Sequence, residues 1–254
     1  MIAHGGGEGL GPENTIVAMR RSMAAGADAL DLDLRMSSDG VIVARHDREL
    51  SITTDGSGPI DARTFTELQQ LDAAAQWTGD PIDEPVRIPS LLEVLQTFPD
   101  VLTSLEIKQT QPPLADELCR VLVEADAVDR VYVSSNDDSA AYAAERACPG
   151  LLITTTYADL DAQRAAHDRG EPWCAASPIG QPPYRDDWFD AASVDDTHAR
   201  GSAIFTWTVD DPDTLRELAL AGVDGVYTRR PDIARAVFDG LVVAPNRTDE
   251  PDGS

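Results

Sequence analysis

Lysine is almost missing from this 254-residue chain: it occurs once, as Lys108, and every other basic position is arginine. Cysteine is scarce too. Cys119, Cys148 and Cys174 show neither CxxC nor zinc-finger spacing, which excludes a ribbon or finger metal site and makes buried, reduced thiols the expectation. Basic charge as a whole is thin, with 20 Lys and Arg against 45 Asp and Glu and a net charge of −25. That balance excludes nucleic acid and an anionic membrane surface as partners. Apolar runs long enough to cross a bilayer are absent, and no leader segment is visible, so a cytoplasmic protein is expected. The acidic residues are spread along the chain rather than gathered in a tail. Together with the loss of lysine, this reads as a surface adapted to high salt, where ions screen the self-repulsion.

What is present is regular. Hydrophobic residues make up 42% of the chain, enough for a substantial core. Short β-type runs near 2–4, 29–35, 41–46, 101–108, 131–135, 151–156, 173–177, 203–209 and 224–228 alternate with helical stretches at 14–25, 64–75, 90–97, 114–126, 138–146, 159–168, 211–220 and 231–238. Such alternation means βα units and a parallel sheet. Only Ser37-Ser38-Asp39-Gly40 separates the second and third runs, too few residues for a parallel crossover but suited to a hairpin turn. The run 41–46 therefore returns antiparallel to 31–36, and eight strands remain for an α/β (β/α)8 TIM barrel, with a doubly wound open sheet as the alternative. The barrel is expected to occupy 1–243 as a single domain. The stretch 48–89, rich in Gly and Pro, reads as an excursion over one end and a cover for substrate. Residues 244–254 read as a flexible tail.

Two strands carry their charges on the wrong face for a solvated sheet. In Ser104-Leu105-Glu106-Ile107-Lys108, Glu106 and Lys108 point one way and Leu105 and Ile107 the other; in Ala29-Leu30-Asp31-Leu32-Asp33-Leu34-Arg35 the same inversion recurs. In a barrel the leucines face the helices, and the charged residues face the interior. Asp31, Asp33 and Glu106 then form a hard-oxygen set suited to Mg²⁺ or Ca²⁺. For Lys108 alone, a solvated strand face and a paired interior ammonium are both open readings. His4 and His46 each end a strand near the acidic set and are candidates for a general acid and a general base, against the bland reading of structural histidines. The loop Gly5-Gly6-Gly7-Glu8-Gly9 lacks the pattern of a dinucleotide or Walker loop. Pro12-Glu13-Asn14-Thr15 starts a helix, and capping and functional roles are both open there.

These segments, taken in order, resemble a family. His4 through Thr15, Asp31-Leu-Asp33, His46-Asp47, Thr53 to Gly58, Ile88-Pro-Ser-Leu91, Leu105-Glu-Ile-Lys108, Phe205-Thr-Trp-Thr-Val209, Gly222 to Thr228 and Arg230-Pro-Asp232 look like the glycerophosphodiester phosphodiesterase family. The resemblance implies a metal-dependent (β/α)8 barrel that hydrolyses glycerophosphodiesters to sn-glycerol 3-phosphate and an alcohol. It further implies metal carboxylates at Asp31, Asp33 and Glu106, catalytic histidines at His4 and His46, a phosphate-side lysine at Lys108 and a tryptophan at the pocket mouth at Trp207. A buried core indole is the other reading of Trp207. One divalent cation, Mg²⁺ or Ca²⁺, and a small-molecule diester are the implied cofactor and partner.

Three positions depart from the family pattern: Gly5 stands where Arg is usual, Asp31 where Glu is usual, and Asp210 where Asn is usual. Loss of the arginine removes a bidentate phosphate clamp, and Arg35 and Arg45 are the candidates to replace its charge. Two further readings follow: cleavage of a lipid phosphodiester on the same barrel, and a non-catalytic barrel that binds metal or phosphate.

Overall fold

Short β-runs alternate with helices, and in the computed structural model, which describes residues 1–171, 174–184 and 190–242, these pairs wind around one axis. The strands are β1 (Ile2–Ala3), β2 (Ala29–Met36), β3 (Ile42–Ala44), β4 (Leu102–Ile107), β5 (Val131–Ser135), β6 (Leu152–Ile153), β7 (Ile179–Gly180), β8 (Ala203–Thr206) and β9 (Gly225–Thr228). Eight pair in parallel in the order β6-β5-β4-β2-β1-β9-β8-β7. At the seam between β6 and β7 the amide of Thr155 donates to the carbonyl of Ile179 (2.9 Å), and Ser177 Oγ donates to the carbonyl of Ile153 (2.7 Å). The result is a nearly closed TIM barrel. As the four-residue gap requires, β3 pairs antiparallel with β2, Leu34 opposite Ala44 and Met36 opposite Ile42. Gly40 takes a positive φ of 86° in the turn, a conformation open to glycine at little cost.

The helices are α1 (Ile16–Ala24), α2 (Phe65–Leu68), α3 (Leu91–Thr97), α4 (Ala115–Glu124), α5 (Asp138–Ala147), α6 (Tyr157–Asp168), α7 (Ala191–Ala199), α8 (Pro212–Ala221) and α9 (Pro231–Val242). Side-chain caps from Thr15, Thr64, Ser90, Asp137, Asp190 and Asp211 start six of them, each satisfying an amide that the first turn leaves without a partner. Leu30, Leu32, Leu34, Leu105, Ile107, Val131 and Val133 all point outward into the main apolar core, where they meet the helices. Leu105 is fully buried, and truncating such a residue to alanine costs about 2–5 kcal/mol. Inside the barrel, Ile2, Ala29 and Tyr227 form a floor with Phe205 against it. The alternate residues above that floor are free to carry charge.

The segment 48–89 is an excursion with its own small core: Leu50, Ile60, Leu68, Ala73, Val86 and Ile88 pack with Val17 and Val43. Arg45 pins it down. Only 3% exposed, this side chain donates to the carbonyls of Asp47 (2.9 Å), Glu49 (2.7 Å) and Leu50 (3.3 Å) and to the hydroxyl of Thr53.

Four expectations are corrected. The run 173–177 is not the seventh strand; Ile179–Gly180 pairs with β8 instead, because Cys174-Ala175-Ala176-Ser177 offers no β-branched residue to pack against a neighbour. Helix α7 was not expected, since among its side chains only Val194 is buried and its periodicity is correspondingly weak. In the excursion, helix covers only Phe65–Leu68 of the expected 64–75. Finally, Cys119 and Cys148 form a disulfide, with Cα atoms 5.0 Å apart across α4 and α5, and Cys174 is exposed rather than buried. A separation of 29 residues has no local signature; only the packing of consecutive helices brings the pair together. Residues 244–254, expected to form a tail, lie outside the described residues.

Candidate active site

Parity on β2 and β4 decides which groups meet. Asp33 is the register partner of Glu106, and Asp31 that of Ser104, so the inward residues of two adjacent strands form a ladder of polar groups above the floor. Asp31 and Asp33 are 5% and 3% exposed. Lys108 continues the ladder: its Nζ stands 2.7 Å from Glu106 Oε1 and 3.3 Å from Asp33 Oδ1. Burial opposes its charge, yet the two carboxylates outweigh that cost and raise its pKa, so the ammonium stays protonated. Glu106 is pushed the other way by burial, against Lys108, and its pKa is raised. The solvated reading of Lys108 is thereby set aside.

His4 follows β1 and donates from Nδ1 to Asp31 Oδ2 at 2.8 Å. Burial works against an imidazolium there, but the hydrogen bond and charge of Asp31, reinforced by Glu8 and Asp33, prevail and raise the pKa to about 9. His46 lies just beyond β3 with its Nδ1 3.3 Å from Asp47 Oδ1, and is more open. A pocket of about 200 Å³ at the mouth of the barrel is lined by His4, Asp31, His46, Glu106, Lys108 and Trp207, with Asn136, Gln181 and Tyr227. Of the seven candidate residues, only Asp33 is absent from that lining; it sits behind Lys108. Trp207 is 40% exposed and anchors its indole N–H on the carbonyl of Gln181 (2.9 Å), so it forms a wall of the pocket rather than part of the core. The pocket opens where the strands end, the face on which barrel enzymes carry their chemistry.

Asp31, Asp33 and Glu106 are hard oxygen donors, and Asp33 Oδ1 is buried, its ion pair with Lys108 at 3.3 Å falling short of hydrogen-bond geometry. These features fit a divalent cation. Among the described residues no three such donors are drawn together tightly enough to hold an ion as they stand, and the Lys108 ammonium occupies the space between Asp33 and Glu106.

Several supporting residues were not foreseen. Asn14 holds Asp33 twice, donating from Nδ2 to Oδ2 (2.8 Å) and accepting from the Asp33 amide at Oδ1 (3.0 Å), with a φ of 56° that asparagine tolerates. Thr15, not Asn14, is the helix cap. Asn136 donates to Glu106 Oε1 (3.1 Å). Beneath the pocket, the hydroxyl of Tyr227 is met by those of Tyr132 (3.1 Å) and Ser104 (3.3 Å) and by the amide of Gln181. Glu13 lies beside the glycine turn: its Oε1 is buried without a partner, and burial, followed by the charges of Asp33 and Glu8, pushes its pKa up to about 7.

Neither proposed replacement for the missing arginine is free. Arg45 is committed to the excursion, as described above. Arg35 donates from Nε to the carbonyl of His46 (2.6 Å) and from Nη1 to that of Lys108 (3.4 Å), tying the hairpin to β4. A second cavity, of about 480 Å³, lies between the glycine loop and the excursion; its lining includes Glu8, Glu13, Trp77, Asp210 and Arg229.

The family model described as the glycerophosphoryl diester phosphodiesterase family matches residues 4–233. A glycerophosphodiester phosphodiesterase of Caldanaerobacter subterraneus subsp. tengcongensis is 30% identical over 239 residues, spanning 91% of this chain and 94% of that protein. The glycerophosphoryl diester phosphodiesterase domain of a Mycobacterium tuberculosis protein superposes with a TM-score of 0.80 at 25% identity, covering 92% of this chain and 97% of that one. An Oleispira antarctica phosphodiesterase in complex with the product sn-glycerol-3-phosphate gives a TM-score of 0.73 at 25% identity, covering 94% and 96%.

Proposed function

Since the chain belongs to the glycerophosphoryl diester phosphodiesterase family, we propose that it hydrolyses glycerophosphodiesters to sn-glycerol 3-phosphate and an alcohol, with His4 and His46 exchanging the protons. The observation that carries this reading is the convergence of both histidines, Asp31, Glu106 and the chain's one lysine on a single pocket at the barrel mouth. Asp31, Asp33 and Glu106 would hold a divalent cation, Mg²⁺ or Ca²⁺, and when bound it supplies Lewis-acid polarisation of a phosphoryl oxygen.

The remaining work falls to the chain's own side chains. With Nδ1 of His4 engaged by Asp31, its other ring nitrogen is the atom left for proton transfer. One imidazole removes the proton of the nucleophile, either water or the substrate's glycerol 2-hydroxyl; the other protonates the departing alkoxide, each typically worth about 10²–10⁴-fold. Lys108, held charged by Asp33 and Glu106, neutralises negative charge that builds on the phosphoryl oxygens. Trp207 walls the glycerol carbons. Shortening Glu to Asp at position 31 still leaves a carboxylate, now fixed by His4.

The net charge of −25 disfavours a diester embedded in an anionic bilayer, and among the described residues no helix is long and apolar enough to cross a membrane. A high-salt cytoplasm suits the surface; the Cys119–Cys148 disulfide is the feature that opposes it, because such bonds persist mainly in oxidising compartments.

The test is metal-dependent release of glycerol 3-phosphate from glycerophosphocholine in molar KCl. Wild type should turn over with Mg²⁺ or Ca²⁺, and His4→Ala, His46→Ala and Lys108→Ala should each lose at least about 10²-fold. Full activity in either histidine variant removes that residue from the mechanism.

A further inference from the structure

We propose that Arg229 is the phosphate-binding cation of this site, in place of the arginine that Gly5 lacks. The proposal rests on the phosphodiesterase reading above and goes beyond it in naming a residue that the family pattern does not supply.

The need is local. Gly5 is buried, with a positive φ of 56°, and the side chains nearest its vacant Cβ position are the carboxylates Glu8 (3.5 Å) and Glu13 (3.7 Å to Cβ). Without a guanidinium, this wall of the site is wholly anionic and would repel a phosphodiester. Arg45 spends its donors on three backbone carbonyls and the Thr53 hydroxyl, and Arg35 is tied through Nε to the carbonyl of His46 and through Nη1 to that of Lys108. Arg230 is tied to Asp232 through Nε and Nη2, at 2.9 and 2.7 Å.

Arg229 is placed by the sheet itself. Ile2 pairs with Tyr227 and Ala3 with Thr228, and one residue past β9 the Arg229 carbonyl accepts from the amide of Gly9 (3.0 Å), which ties the end of β9 to the glycine loop. Side chains alternate along a strand. Tyr227 points into the catalytic pocket and Thr228 away from it, while beyond the strand Arg229 meets the same Asp210 that accepts from Thr228 Oγ1 (3.0 Å). There it lines the second cavity, beside the catalytic pocket, with Glu8 and Glu13, the side chains nearest the vacant Cβ position of Gly5.

Asp210, the third departure from the family pattern, is what holds it. One carboxylate oxygen accepts from the Arg229 amide (2.8 Å) and the other from its Nε (2.6 Å); Glu8 Oε1 stands 3.7 Å from the same Nε. An asparagine at 210 would offer one acceptor oxygen and no charge. Both side-chain contacts of Arg229 among the described residues run through Nε, so the two terminal nitrogens are left to face a ligand. A planar fork fixed at one edge and open at the other is the geometry that clamps phosphate. Gly5 and Asp210 are then two halves of one change: the guanidinium stands at the end of β9 instead of in the turn after β1, and Asp210 supplies the carboxylate that steadies it there.

The experiment compares wild type, Arg229→Gln, Arg229→Lys and Asp210→Asn at fixed KCl, reading kcat and KM for glycerophosphocholine, the calorimetric Kd of sn-glycerol 3-phosphate, and Tm. Product binding reports on Arg229 even in a chain that does not turn over, so a failure of the phosphodiesterase reading stays separate from a failure here. The expected result is a rise of about tenfold or more in both KM and product Kd for Arg229→Gln, partial recovery in Arg229→Lys, a smaller loss in Asp210→Asn, and little change in Tm for these rim positions. Product binding by Arg229→Gln equal to wild type overturns the proposal. So does a fall in Tm and kcat at unchanged KM and Kd, which would make the arginine a structural strut.

Discussion

Replacing Glu13 by glutamine should make the protein more stable, and only at neutral and alkaline pH. The carboxyl has a buried oxygen with no partner and stands near Asp33 and Glu8; burial and those charges raise its pKa from 4.5 to about 7. Between these two values the folded state keeps a proton that the unfolded chain has released. The contribution of this group to stability is therefore complete below pH 4.5 and is lost as pH rises through 7. Each pH unit carries about 1.4 kcal/mol, so the span sets a ceiling of about 3 kcal/mol. Partial exposure of the side chain brings the expectation to roughly 1–2 kcal/mol, or about 3–6 °C in Tm for a chain of this size. The assay is thermal melting of wild type and Glu13→Gln from pH 4.5 to 8, in EDTA and constant KCl so that no divalent cation adds to the charges around Asp33. The curves should coincide near pH 4.5, and the variant should lead by the stated margin at pH 8. A Tm difference that is the same at every pH, or wild type the more stable at pH 8, refutes the argument that a deprotonated Glu13 is disfavoured.

Two other outcomes follow from charge and covalent structure. With a net charge of −25, Tm should climb by several degrees between 0.1 and 2 M KCl as self-repulsion is screened; a flat profile by calorimetry removes the case for adaptation to high salt. Cys119→Ser should cost about 3–4 kcal/mol by the loop-closure argument for a separation of 29 residues, and alkylation of cell extract without reductant should label Cys174 alone. Labelling of all three cysteines under those conditions would mean that the thiols are reduced in the cell.

How far the sequence could be read depends on whether an effect is periodic or three-dimensional. The barrel was legible because βα alternation and the four-residue gap before β3 leave few topologies. The inward set Asp31, Asp33, Glu106 and Lys108 was legible because a period of two is strict, and the register that pairs Asp33 with Glu106 follows once the strands are adjacent. Asn14 was not legible. Beside Thr15 it resembles a helix cap, and its grip on Asp33 depends on a left-handed backbone and on a strand 19 residues away. Asn136, on the loop after β5, and the cysteine pair were hidden for the same reason: their partners are 30 and 29 residues distant. Arg229 carried no signal of its own in Arg229-Arg230-Pro231. Only the fold pairs one arginine with Asp210 and leaves the other with Asp232.

The retention of a single lysine has a geometric argument behind it. Asp33 and Glu106 are register partners on neighbouring parallel strands, and the cation between them must satisfy oxygens at 3.3 and 2.7 Å while remaining 16% exposed. A rotatable ammonium donates in three directions from one point, whereas a guanidinium donates in one plane and is bulkier. In that space a bulkier, planar arginine would meet one carboxylate well and could not turn its remaining donors on the other without leaving that plane. At the rim the demands reverse. Arg229 is fixed through one edge by Asp210 and has open cavity before it, so a planar fork suits a tetrahedral anion better than a point charge does. Selection against lysine on the surface of an acidic chain leaves both positions subject to the same pressure. Only the inner one, between two carboxylates, has no arginine solution, and it is the one that kept its lysine.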